Sequence, residues 1–134
     1  MNQHAERQES TFFKGAAHQH RFFATMQQLD KLDDGKLDPE YAAAVYVLTS
    51  DKGTWEKAQE YTGRSGIDFE SLLEEVDWSG GYSVLITWAS NLFNGNTHID
   101  PVELMRLDES NFQLALSALQ LRRSSCRVDG FKKV

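Results

Sequence analysis

Eight consecutive apolar residues, Tyr41-Ala42-Ala43-Ala44-Val45-Tyr46-Val47-Leu48, follow directly on Asp38-Pro39-Glu40. Asp38 can cap orphan backbone N–H groups, Pro39 suits the first helical position, and Glu40 favours the positive end of the helix dipole. Val45 to Leu48 would also serve as a buried strand, but the three alanines favour helix. A helix that is apolar on every side is stable only when neighbours cover several of its faces. The rest of the chain has to supply those neighbours. Its 134 residues amount to about one domain, enough to bury a packed core.

Helical spacing recurs on both sides of this segment. From about Phe12 to Leu32, Phe22, Met26 and Leu29 fall at i, i+4 and i+7 with Phe23 beside them, while Gln27, Gln28 and Asp30 face the other way. Asp33-Asp34-Gly35-Lys36 breaks that helix. Thr54 is placed to cap a short helix from Trp55 to about Thr62, and Gly63-Arg64-Ser65-Gly66 reads as a loop. Asp68 opens another helix with Phe69, Leu72, Leu73 and Val76 inward. Beyond Ser79-Gly80-Gly81, Leu85, Trp88, Ala89, Leu92 and Phe93 make one stripe that closes at Gly95; the β-branched Val84, Ile86 and Thr87 leave strand as the lesser reading. Asp100-Pro101 repeats the capping logic of Asp38-Pro39 and starts a short helix to about Leu107. Asp108 starts the last helix, with Phe112, Ala115, Leu116 and Leu119 inward and Leu114, Ala118 and Leu121 on a second face. The expected fold is all-α, an irregular bundle of about six or seven helices. It spans residues 12–124, between a flexible segment at 1–11 and a flexible basic tail at 125–134.

Charge narrows the functional classes. The net charge is −6, but residues 122–134 contribute +4 and the remainder −10. Sequence-independent nucleic-acid binding depends on phosphate neutralisation by Lys and Arg, so nucleic acid is not expected as a partner. An acidic body that imitates nucleic acid toward a basic protein is a weaker reading. Neither a signal-type apolar run nor a stretch near the roughly 20 residues of a membrane helix is present, so a cytoplasmic, non-membrane protein is expected. The single cysteine, Cys126, excludes an internal disulfide framework.

No catalytic or cofactor motif emerges. If Gly35 is set at the sixth position of a calcium loop, Leu32 falls at the third and Tyr41 at the twelfth, where carboxylates are needed. His18 and His20 would point about 200° apart on a helix and cannot share a metal. Glycine-rich phosphate loops and G-x-S-x-G are missing. No metal or cofactor is therefore expected, nor catalysis. Fifteen aromatic residues are the stronger signal, among them the doublets Phe12-Phe13 and Phe22-Phe23. One member of each doublet has to pack outside its own helix stripe, against a second neighbour or another subunit. Trp55 and Trp78 lie beside turns, where an indole either seals a core edge or lines a groove.

The aromatic-rich first helix with His20-Arg21, the segment Tyr41 to Thr49, Asn91-Leu92-Phe93-Asn94, and Asp108 through the double arginine Arg122-Arg123 together resemble small all-helical proteins of Gram-positive bacteria and their prophages. That family carries no assigned activity, so the resemblance implies a cytoplasmic accessory protein borne on a mobile element and transfers no functional residue. The leading expectation is a non-enzymatic protein-interaction module with a protein partner or a homodimer. The alternative is a small-molecule pocket or an unrecognised enzyme, lined by Tyr82, Trp88, His98 and Asp100.

Overall fold

The apolar octapeptide does become the centre of the molecule. The computed structural model describes residues 12–124; the expectations for residues 1–11 and 125–134, Cys126 included, lie outside the described residues. In chain order the elements are α1 (Ala16–Gln28), a hairpin β1–β2 (Leu32–Asp33, Lys36–Leu37), α2 (Pro39–Leu48) and α3 (Lys52–Ala58). Then come a 3-10 turn (Gln59–Tyr61), a second hairpin β3–β4 (Thr62–Gly63, Gly66–Ile67) and α4 (Phe69–Glu75). α5 (Gly81–Asn94), a 3-10 segment (Pro101–Arg106) and α6 (Glu109–Arg123) complete the described chain. The fold class is all-α.

Every residue from Tyr41 to Leu48 is buried, with α5 and α6 packed along α2 and α1 and α3 on its remaining sides. Asp38 Oδ1 accepts the Glu40 and Tyr41 N–H groups at 3.0 and 3.2 Å, so the cap acts as its sequence position implies. Small side chains at Ala42, Ala43 and Ala44 leave room for neighbours on several sides at once. Arginines tie the helix ends together. Arg21 Nε donates to the Thr49 carbonyl at the end of α2 (2.9 Å), and Arg122 Nε to the Leu92 carbonyl of α5 (2.7 Å). Each places positive charge where a helix exposes unpaired carbonyls.

Two breaks in the helical pattern prove to be ordered hairpins. Asp34 and Gly35 both take positive φ (52° and 75°), the requirement of a two-residue turn whose twist matches its strands. Leu32 pairs with Leu37 and Asp33 with Lys36; in the second hairpin Thr62 pairs with Ile67 and Gly63 with Gly66. In both, the next N–H closes onto the carbonyl before the hairpin: Asp38 onto Lys31 (3.0 Å), Asp68 onto Tyr61 (2.9 Å). Each of these aspartates then caps the following helix. Helix, hairpin and aspartate-capped helix thus occur twice in succession. Strands of two residues carry too little periodicity to be read from sequence.

Other boundaries moved for local reasons. α1 begins at Ala16 rather than Phe12 and ends at Gln28, because Asp30 turns left-handed (φ 63°) and directs the Lys31 N–H onto the Met26 carbonyl. The residue that would have opened a calcium loop is therefore the stop of a helix. Asp51, not Thr54, caps α3; its carboxylate accepts the Thr54 N–H at 3.1 Å. The inner face of α6 is Leu114, Ala115, Ala118 and Leu121, whereas Leu116 and Leu119, expected inside, face solvent. α6 packs mainly on α2, which covers the face expected to be the second of the two, Leu114, Ala118 and Leu121.

Candidate functional site

The four residues nominated for a pocket are distributed along α5 and beyond it. Tyr82 lies in its first turn, half-buried, with its phenol pushed up by burial and by the Asp51 and Asp108 carboxylates. Trp88 is a core residue whose indole N–H donates to the Ala115 carbonyl at 3.0 Å. His98 and Asp100 are exposed after the helix ends, and the Asp100 carboxylate accepts the Val102 N–H at 3.1 Å as a cap. Tyr82 opens α5, whereas His98 follows Thr97, which is tied back to the later turns of the helix by the Asn91 amide donating to its carbonyl at 2.7 Å. None of the four is among the residues that line the two hollows described below.

His18 is buried, and both of its ring nitrogens are used in structural hydrogen bonds. Its Nδ1 accepts the Lys14 N–H at 3.1 Å, so Nε2 carries the proton and donates to the Tyr46 carbonyl at 2.8 Å. The ring is edge-on to Phe13 and next to Tyr46, in a cluster that also contains Phe22 and Phe23. Burial, assisted by the positive charges of Arg21 and Lys14 and opposed by the Tyr46 hydrogen bond, lowers its pKa to about 4. The tyrosine hydroxyl donates in turn to the Phe12 carbonyl. Both phenylalanine doublets are thus absorbed within the chain. His20, two residues on, is exposed.

The three tryptophans divide instructively. Trp78 donates its N–H to the Leu72 carbonyl (3.1 Å) and has the Lys57 ammonium over its ring, sealing a core edge. Trp55, half-buried on α3, has no hydrogen-bond partner for its indole N–H among the described residues. It forms one wall of a cleft of about 380 Å³ between the end of α1, α3 and the β3–β4 hairpin. Leu29 supplies apolar surface beside it, and Thr25 faces the same space.

Thr25 is 6% exposed, yet its hydroxyl bonds to nothing in the described residues. The other two buried threonines are satisfied: Thr49 donates to the Val45 carbonyl (2.7 Å) and Thr54 to Asp51 (3.3 Å). No fully buried side-chain nitrogen or oxygen among the described residues lacks a partner, so the Thr25 hydroxyl and the Trp55 indole N–H are both open to water, and both residues line this hollow. The Gln28 and Gln59 amides, the Glu60 carboxylate and the Arg64 guanidinium stand around it. A second hollow, about 520 Å³ beside Glu70, Glu74 and Asn94, differs in this respect because its buried Ser90 hydroxyl is already paired with Thr97.

Sequence reasoning left Trp55 open between seal and groove and did not find Thr25, Gln59 or Arg64. Gln28 was assigned to the outward face of α1, which is correct. No periodicity links these positions. The cleft exists because the unforeseen hairpin carries Arg64 at its turn and Thr62 and Gly63 in its first strand.

The described residues also include four exposed large apolar side chains, all in the last two elements: Val102 and Met105 in the 3-10 segment, Leu116 and Leu119 on α6. No group of histidine, cysteine or carboxylate side chains among the described residues is arranged to hold a metal ion, and no helix there is long and apolar enough to cross a membrane. No protein family model, curated protein or solved structure matches the chain.

Proposed function

We propose that the protein is a binding protein that takes a small polar ligand in the Trp55 cleft. The observation that carries this reading is that Thr25 and Trp55, whose hydroxyl and indole N–H are hydrogen-bonded to no other described residue and stay open to water, line one partly apolar hollow. Ligand pockets are typically about 300–1,000 Å³ and combine apolar walls with a few placed polar groups, and this cleft lies at the small end of that range. Nothing in the cleft pairs a nucleophile with a base, so the reading is binding without chemistry. A thermal-shift screen of metabolites tests it: a hit should stabilise the native chain and lose its effect in Trp55→Ala. Hits that persist in that variant, or no hits, refute it.

A protein-interaction role is supported by a separate observation, the restriction of exposed large apolar side chains to the 3-10 segment and α6. Exposed apolar clusters mark contact surfaces more often than isolated residues do. Light scattering of the native chain and of Met105→Glu with Leu119→Glu tests whether these residues join two copies. A pull-down with the same variants tests for a different protein partner. Unchanged mass and unchanged capture would remove this reading.

A further inference from the structure

We infer that the cleft ligand is an uncharged hydroxylated ring, one sugar residue in size; this rests on the ligand-binding reading above. Arg64 and Glu60 contribute one positive and one negative charge at the rim, which favours neither an anion nor a cation. The acidic balance of the body outside residues 122–134 weighs further against an anion, and the guanidinium against a cation. A purely apolar ligand would strip water from the Thr25 hydroxyl and the Trp55 N–H without replacing its hydrogen bonds, which costs free energy for each group.

What remains is a neutral ligand that both donates and accepts. The residues that line the cleft include Trp55, whose indole can donate, Thr25, whose hydroxyl can take either role, and Gln28 and Gln59, whose amides carry a donor and an acceptor side by side. Adjacent ring hydroxyls present the complementary pairs. The C–H face of such a ring is apolar and suits the single indole wall and Leu29. Flat heterocycles would be served better by aromatic surface on both faces, and Trp55 is the one aromatic residue lining this cleft. The cleft is neither enclosed nor flat, which also suits a ring that keeps part of its hydroxyl edge in water.

The test follows the Trp55 indole N–H directly in ¹⁵N-labelled full-length protein. Three tryptophans give three indole cross-peaks, and Trp55→Phe identifies which belongs to the cleft. Glucose, N-acetylglucosamine and maltose are titrated to tens of millimolar, with adenosine, glycine and inorganic phosphate as competing classes. The expected result is a saturable shift of the Trp55 peak by at least one sugar, with the Trp78 and Trp88 peaks unmoved. Thr25→Val keeps the side-chain shape and removes only the hydroxyl, so it should weaken that binding about five-fold while the unliganded melting temperature holds. A Trp55 shift produced only by adenosine, glycine or phosphate overturns the sugar assignment and leaves the cleft as a ligand site. Silence from all six probes overturns both. A sugar-induced shift of undiminished affinity in Thr25→Val overturns the placement of the ligand.

Discussion

Protonating His18 should be the step that loosens this fold in mild acid. Its two ring nitrogens are committed, one accepting from Lys14 and the other donating to Tyr46, and the site has no acceptor for a second proton. The folded pKa of about 4 lies below the ordinary 6.5, so the unfolded chain binds the proton more readily. Stability is then fully present above pH 6.5, declines as pH falls, and bottoms out below pH 4. At about 1.4 kcal/mol per pH unit the complete loss is about 3 kcal/mol, and roughly 2 kcal/mol of it is lost by pH 5. Against a typical total of about 5–15 kcal/mol this is a large share, worth on the order of 8 °C in melting temperature.

Carboxylates titrate over part of the same interval, so the measurement has to be a difference. Urea unfolding at pH 7.5 and pH 5.0 is compared between the native chain and His18→Gln, whose amide can still donate to the Tyr46 carbonyl. The variant should be weaker at pH 7.5, and the gap should narrow by about 2 kcal/mol at pH 5.0. Parallel losses in the two proteins would refute the reasoning. So would an imidazole titration by NMR that places the His18 midpoint near 6.5.

Three further outcomes follow from particular contacts. Gly95→Ala should cost about 1–2 kcal/mol in urea titrations, because the residue closes α5 at φ 76° and no atom lies near the added Cβ, making the penalty purely conformational. Leu48→Ala, at a fully buried site on the central helix, should cost about 2–5 kcal/mol by the same assay. Trp88→Phe should destabilise more than Trp55→Phe, since only Trp88 loses a buried hydrogen bond, to Ala115; equal melting temperatures would contradict that assignment.

Local chemistry accounts for what the sequence determined by itself. Helix class, the buried octapeptide and the caps at Asp38, Asp68, Asp100 and Asp108 are written in spacing and in residues that satisfy nearby N–H groups. The stripe Leu85, Trp88, Ala89, Leu92 and Phe93 is buried as its period implies. The choice between two apolar faces was a matter for tertiary structure alone. α6 carries leucine and alanine on both, and only packing on α2 decides that Leu114 and Leu121 go inside while Leu116 and Leu119 stay in water. The same holds for the cleft. Thr25, Trp55 and Arg64 come from a helix end, a short helix and a two-residue turn, each ordinary in its own segment. Burial and hydrogen-bond satisfaction depend on what the whole chain places nearby, so an unpartnered hydroxyl becomes visible only after every neighbour has been positioned.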